Sequence, residues 1–289
     1  MARPPINLIA SIRQRLLNIA QRQNQPFDVI LVRYGLERLL FRLSISEHQK
    51  RFILKGGLLV SMWVDDAMRV TRDIDFLGHG DDDADQLKET FADILSTDCD
   101  DGLTFDTENL TAEAIREEVE YGGTRLKTIA FLGVVRIPIT IDIGFGDAVA
   151  PNTEILDFPH LLDDGVSTVC AYPMAAVIAE KFQAMVALGL INGRMKDYYD
   201  LWTIPQIARI PDEALDAAIA ATFARRNTPI PTEAPPGLSN AFFSSPEKLR
   251  QWTAYARSIH FDTATFEQVV TGIWLTVGPA CQRILARLN

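Results

Sequence analysis

The chain has 289 residues, 47% hydrophobic and 23% charged, with a formal net charge of −10. That is an ordinary globular composition, long enough for two domains or for one with a helical extension. The acidic balance argues against a protein whose whole surface grips nucleic acid. The charge is uneven, however. Residues 1–55 hold ten Lys/Arg against three Asp/Glu, so the remainder carries −17. A basic first segment is a local footprint for phosphate-rich partners or simply a solvated helical face. No apolar run approaches ~18 residues without a charge, so no membrane span is expected. The start, MARPPINLIASIRQRLL, lacks the pattern of a secretory signal. Cys99, Cys170 and Cys281 are odd in number and far apart, which suggests neither a disulfide framework nor a zinc site. A cytoplasmic address is the expectation.

Apolar positions at helical spacing predict a helix over 6–24 and a second over 28–44. RFILK (51–55) reads as a short strand, running through Gly56-Gly57 into an apolar helix. DIDFLG (73–78) is a second strand, and LKETFADIL lies within a helical pattern. Residues 127–145 contain two strands, KTIAFLG and VRIPITIDIGF. Helices are predicted over 173–190, 194–204, 246–258 and 264–287. Between them, 227–238 holds four prolines and reads as a loop or linker. Strands thus cluster in one central block between helices. This predicts an α+β class, with a catalytic core at about 50–160 and a mostly helical remainder. The expected domains are 1–165, the strand block with its N-terminal helices, and 166–289, mostly helical.

Four groups of residues carry the chemistry. Lys55-Gly56-Gly57 sits between a strand and a helix, where a backbone can approach phosphate or simply turn tightly. In Arg69-Val-Thr71-Arg72-Asp73-Ile74-Asp75, strand alternation puts Asp73 and Asp75 on one side and Ile74 in the core. Two adjacent carboxylates repel unless a cation neutralises them, and hard oxygen ligands suit Mg²⁺ carrying phosphates. A solvated strand face is the alternative for such a pair. The alternating isoleucines of 137–143 turn Asp142 away from the core, a third carboxylate for a metal site or for activating a hydroxyl. Asp147, after Gly146, reads as a turn residue. Finally, Lys181 lies on an apolar helical stripe with Val177, Ile178 and Met185, which demands snorkelling or an anionic partner. Asp197 and Asp200 share a helix face. They pair with Lys181 or Arg194, hold metal-bound water, or brace the helix.

Together these groups resemble the AbiEii/AbiGii family of nucleotidyltransferase toxins, in the DNA polymerase β-like superfamily. The family pattern is a Gly-Gly turn, an Arg-x-Ser/Thr-x-Asp-x-Asp strand, a lysine helix and Arg-x-Lys-Asp-x-x-Asp-Leu. Gly56-Gly57 match the first, and Arg69, Thr71, Asp73 and Asp75 the second. Glu180-Lys181-Phe182 match the third, and Arg194, Lys196, Asp197, Asp200 and Leu201 the fourth. The likeness covers about 50–205. One departure is Leu58, where many members carry Ser or Thr, which shifts the phosphate contact onto backbone N–H groups and Lys55.

The resemblance implies a polymerase β-like core with a mixed sheet and a mostly helical C-terminal region. It implies transfer of a nucleotide from a nucleoside triphosphate with Mg²⁺ (or Mn²⁺). Asp73, Asp75 and Asp142 are the implied metal ligands, and these three with Lys181 and Asp197 the catalytic set. Lys55, Gly56, Gly57, Arg69, Thr71, Lys181, Lys196 and Asp200 are the implied nucleotide-binding set. It further implies the toxin of a type IV toxin–antitoxin, or abortive-infection, pair with an AbiEi-type antitoxin as partner. Some relatives modify the 3′ end of tRNA. A protein or small-molecule acceptor such as an antibiotic, or nucleotide binding without turnover, are the alternatives.

Overall fold

The computed structural model describes residues 6–64, 66–115, 122–163 and 165–288. The helices are α1 (Ile6–Arg22), α2 (Phe27–Ser44), α3 (Gly56–Trp63), α4 (Ala84–Ser96), α5 (Met174–Leu188), α6 (Met195–Ile207), α7 (Asp212–Arg225), α8 (Asn240–Phe243), α9 (Pro246–Ser258) and α10 (Phe266–Leu288). The strands are β1 (Phe52–Lys55), β2 (Asp73–Gly78), β3 (Leu103–Phe105), β4 (Thr111–Ile115), β5 (Gly123–Leu132), β6 (Val135–Phe145), β7 (Glu154–Pro159) and β8 (Val166–Ala171). The chain divides into two compact units. One takes the chain up to Met62, Val70–Gly146 and Glu154–Ala171; the other takes Trp63–Arg69, Asp147–Thr153 and the chain from Tyr172.

The first unit is built on one mixed sheet in the order β3-β5-β6-β2-β1-β8-β7, with β4 on β5. β2 and β6 run parallel, while β1–β2 and β5–β6 are antiparallel. Alternation makes the sheet two-faced. Leu54, Phe76 and Ile143 are register partners on one face, joined by Ile74, Ile141 and Ile139, and all are buried. Helices cover this face. Phe91 of α4 packs on Phe52, ring centroids 4.8 Å apart, and on Phe76 at 6.2 Å. α2 approaches β6 closely because Gly35 has no side chain: a Cβ there would meet Ile139 Cδ1 at 2.8 Å. Arg42 of α2 is buried and forks onto Asp101 at 2.5 and 3.1 Å, while also donating to the Thr97 and Leu103 carbonyls. A buried charge is tolerable when paired and fully hydrogen-bonded in this way. With one face given to helices, the polar side chains of β2, β5 and β6 share the other.

The second unit is helical. α5 packs with α6 and α7, and α10 with the same two helices. Tyr198 stacks on Phe242 at 5.1 Å and Trp252 on Phe266 at 5.0 Å, a continuous aromatic core. The predicted helices at 173–190, 194–204, 246–258 and 264–287 are present as α5, α6, α9 and α10, and α7 joins them. Met174–Ile191 and Phe266–Leu288 are long and apolar enough to cross a membrane by length and composition, at mean hydropathy 1.6 and 1.3. Both carry buried faces that pack against other helices of the unit, and the first contains Glu180 and Lys181. That is the pattern of core helices in a globular bundle.

Candidate active site

β2 and β6 bring three carboxylates together. Asp75 and Asp142 are direct register partners, and Asp73 lies opposite Thr140 two residues along. Oxygens of Asp73, Asp75 and Asp142 lie within 4.8 Å of one another, in reach of a single cation. All three residues are half-buried. Asp75 is pushed up to about 6, first by burial and then by the negative charge of Asp73, against the pull of the Gly57 N–H and Lys55. Crowded carboxylates at a partly dehydrated position ionise reluctantly, and a divalent cation relieves both costs. Neutral donors orient the pair. Gly57 N–H donates to Asp75 Oδ2 at 3.2 Å, and the Thr71 hydroxyl donates to Asp73 Oδ1 at 2.6 Å. Gly56 lies at φ +66°, and a Cβ there would collide with the Asp75 carboxylate. The Gly-Gly turn therefore makes room for a carboxylate as well as offering its backbone N–H.

The same register continues sideways. Lys55 pairs with Asp75, Asp142 with Arg125, and Arg125 with Glu113. Five side chains from five strands thus form a transverse row, Lys55–Asp75–Asp142–Arg125–Glu113. Arg125 grips Asp142 with a two-pronged contact, Nε to Oδ1 at 2.7 Å and a terminal nitrogen to Oδ2 at 2.6 Å. Lys127 pairs with Glu113 at 2.5 Å at the end of the row.

The helical unit holds the other motif residues. The Lys181 ammonium bonds Asp197 Oδ1 and lies 2.9 Å from Asp200 Oδ2. Arg69 forks onto both oxygens of Asp200 at 2.5 and 2.6 Å, with both side chains fully buried. Burial opposes the charge of Lys181, but Asp197 and Asp200 outweigh it and push its pKa up. Asp200 is likewise disfavoured by burial yet held low by Lys181 and Arg69. These four side chains form one network of two cations and two anions, with Arg69 and Asp200 fully buried and Lys181 and Asp197 half-buried.

A family model described as the nucleotidyl transferase AbiEii toxin of type IV toxin–antitoxin systems matches residues 38–272. The chain belongs to this AbiEii family. It is accordingly a nucleotidyltransferase toxin by family, and its α+β fold with a mixed sheet fits. Among solved structures, MenT4, a nucleotidyltransferase toxin of Mycobacterium tuberculosis H37Rv, is similar at a TM-score of 0.53 and 16% identity, over 97% of this chain and 99% of that one. JHP933 of Helicobacter pylori aligns at 0.45 and 11% identity, over 88% and 92%. No curated protein matches the chain.

Within this AbiEii chain the two acidic strands meet, and the Gly-Gly turn lies against Asp75. Thr71 reaches Asp73, and Lys55 is the register partner of Asp75. Arg69 and Asp200 are bound to each other, and Lys181 to Asp197 and Asp200. Lys196 lies in the first turn of α6, half-buried. Asp147, read as a turn residue, accepts a hydrogen bond from Arg226 at 3.2 Å. Arg125 escaped the sequence reading. Its strand, predicted from 127, begins at Gly123, and only the pairing of β5 with β6 reveals its partner.

Proposed function

We propose that this AbiEii enzyme transfers a nucleotide from a nucleoside triphosphate to an acceptor hydroxyl, with the 3′ end of tRNA as the acceptor. The observation that carries the reading is the convergence of Asp73, Asp75 and Asp142 beside the Gly56-Gly57 turn. Such a donor set suits a hard divalent ion, and these three residues would hold Mg²⁺ or Mn²⁺. When bound, that ion supplies charge neutralisation at the triphosphate. The acceptor oxygen forms a bond to the α-phosphorus as the bond to pyrophosphate breaks. Asp142 completes the acidic set or receives the hydroxyl proton. Lys55 stands beside Asp75 as a phosphate donor, and the Gly56-Gly57 turn orients Asp75 through the Gly57 N–H. Lys181, kept charged by Asp197 and Asp200, is assigned to neutralise phosphate charge, and Arg69 fixes Asp200. Lys196 and Thr71 complete the nucleotide-binding set. An antitoxin of the AbiEi type is the expected partner, and the cytoplasm the expected location.

The test is a labelling assay with purified protein, Mg²⁺, each labelled nucleoside triphosphate in turn and bacterial total RNA. Label is expected in tRNA-sized RNA and is expected to fall at least ~10²-fold with Asp73→Ala, the scale of losing a principal electrostatic contributor. The net charge of −10 favours a second class of acceptor, a small molecule or protein. Label that appears in those fractions and never in RNA would move the assignment there. Loss of all label on removing divalent ions with chelator is expected in either case.

A further inference from the structure

Among the described residues, a charged fork holds Asp142 and neither of the other two clustered carboxylates. Asp73 and Asp75 accept from a hydroxyl and a backbone N–H, which are neutral and leave lone pairs for a cation. Arg125 instead covers both oxygens of Asp142, at 2.7 and 2.6 Å. A guanidinium fork matches the carboxylate edge and is always charged, so it fills the place where a cation would bind. Each Asp142 oxygen keeps one lone pair outside the fork, but a divalent ion bound there together with Asp73 and Asp75 would stand close to a fixed positive charge, so the ion and Arg125 compete for Asp142.

The surroundings permit that exchange. The Arg125 side chain is 37% exposed, against 15% for Asp142. It projects from β5 at a residue paired with β4 on one side and β6 on the other, so the backbone is held while the long side chain moves. One register step further across the sheet lies Glu113, an anion already paired with Lys127 that a displaced guanidinium would share. Charge balance agrees. Lys55 and Arg125 set against Asp73, Asp75 and Asp142 leave this cluster at −1, one positive charge short of neutral before any metal arrives. In a crowded acidic site a resident counter-cation keeps the carboxylates together in the metal-free state.

We propose that Arg125 is an internal competitor for the metal: it holds Asp142 in the metal-free enzyme and gives up at least one of its oxygens when a divalent ion binds. The inference rests on the metal assignment under the proposed function. It makes metal affinity a property set partly by β5, a strand that contributes no ligand.

The test is Mn²⁺ titration of the full chain without nucleotide, followed by the magnetic-resonance signal of the free ion, with a thermal melt of each variant. Arg125→Gln is expected to tighten Mn²⁺ by about tenfold, the scale of one charge-assisted fork released. Arg125→Lys keeps the charge without the fork and is expected to fall between. Asp142→Asn is expected to weaken Mn²⁺ by about tenfold, and in that background Arg125→Gln should change affinity by less than about twofold. Unchanged or weaker binding by Arg125→Gln, with Asp142→Asn still weakening it, overturns the competition and leaves the metal assignment standing. An effect of Arg125→Gln that persists undiminished beside Asp142→Asn shows a through-space charge effect and also overturns it. Asp142→Asn with no effect removes Asp142 from the metal set, and both readings fall. If Arg125→Gln does not fold, Arg125→Lys decides, and affinity equal to the parent counts against the proposal.

Discussion

Single residues in this enzyme show how much burial can shift an acid. Glu37 on α2 is buried and accepts a 2.6 Å hydrogen bond from the Leu161 N–H, while Arg38 Nε stands 3.5 Å from its other oxygen. Burial, only partly offset by Arg38 and that N–H, pushes its pKa from 4.5 up to about 7. The folded protein therefore binds this proton more tightly than the unfolded chain between those two values. Its contribution to stability is full below pH 4.5 and is lost as pH rises to about 7. The loss is at most about 3 kcal/mol by the linkage relation. Melting curves at pH 5 and pH 8 should show the parent losing more stability than Glu37→Gln, and parallel pH profiles would refute the assignment. Nothing in the sequence marked Glu37. It lies among Arg33, Arg38 and Arg42 and looked like one acid on a basic helix. The carboxylates of the candidate site were more legible, because strand alternation alone places Asp73 with Asp75 and turns Asp142 from the isoleucine face.

Elements explain what alternation could not. β1, α3, β2 and β6 were readable from apolar pattern and from Gly-Gly. Short strands such as β3 and β4 were not, since three to five residues carry too little periodicity to register. β7 and β8 lack a clear alternating apolar signal and also went unread, although β8 lies parallel to β1. Pairing is a long-range property, so the neighbours of Asp142 were hidden even where its strand was plain. The β1–α3 junction gives a sharp test. Gly56→Ala must place a Cβ against Asp75 and hold alanine at φ +66°. The left-handed conformation alone costs about 1–2 kcal/mol, and relief comes by moving the carboxylate. Nucleotide transfer is expected to fall at least ~10-fold while the circular dichroism spectrum stays native, because the displaced group is a proposed metal ligand. Full activity in a folded Gly56→Ala would detach the turn from the site.

On the scale of the whole molecule, the sequence suggested a division near 165, while contacts assign 63–69 and 147–153 to the helical unit and leave β8 with the sheet. Such excursions leave no trace in composition. What ties one of them down is Arg69, whose guanidinium is buried on Asp200 beside Lys181. Arg69→Met strands a buried carboxylate with half its partners gone. Removing one partner of a buried pair costs about 3–5 kcal/mol, so Tm should drop by roughly 10 °C. Arg72→Met is the control: its pair with Asp28 is 59% and 61% exposed, and Tm should move by no more than about 2 °C. Equal shifts in the two variants would show that the Arg69 network is not a structural brace.

The transverse row has a consequence for how this protein can change its length. Lys55, Asp75, Glu113, Arg125 and Asp142 come from five stretches of chain and are neighbours only through hydrogen-bond register. The sheet reads its charges in steps of two. Adding or deleting one residue within β6 ahead of Asp142 would set Ile141 or Ile143 opposite Asp75 and turn the aspartate toward the helices. A two-residue change would keep the polar face but bring Thr140 or Gly144 into the row. Neither parity restores the site, so insertions are tolerable at the Gly133-Val134 tip of the β5–β6 hairpin, ahead of the paired residues, and not within the strand itself.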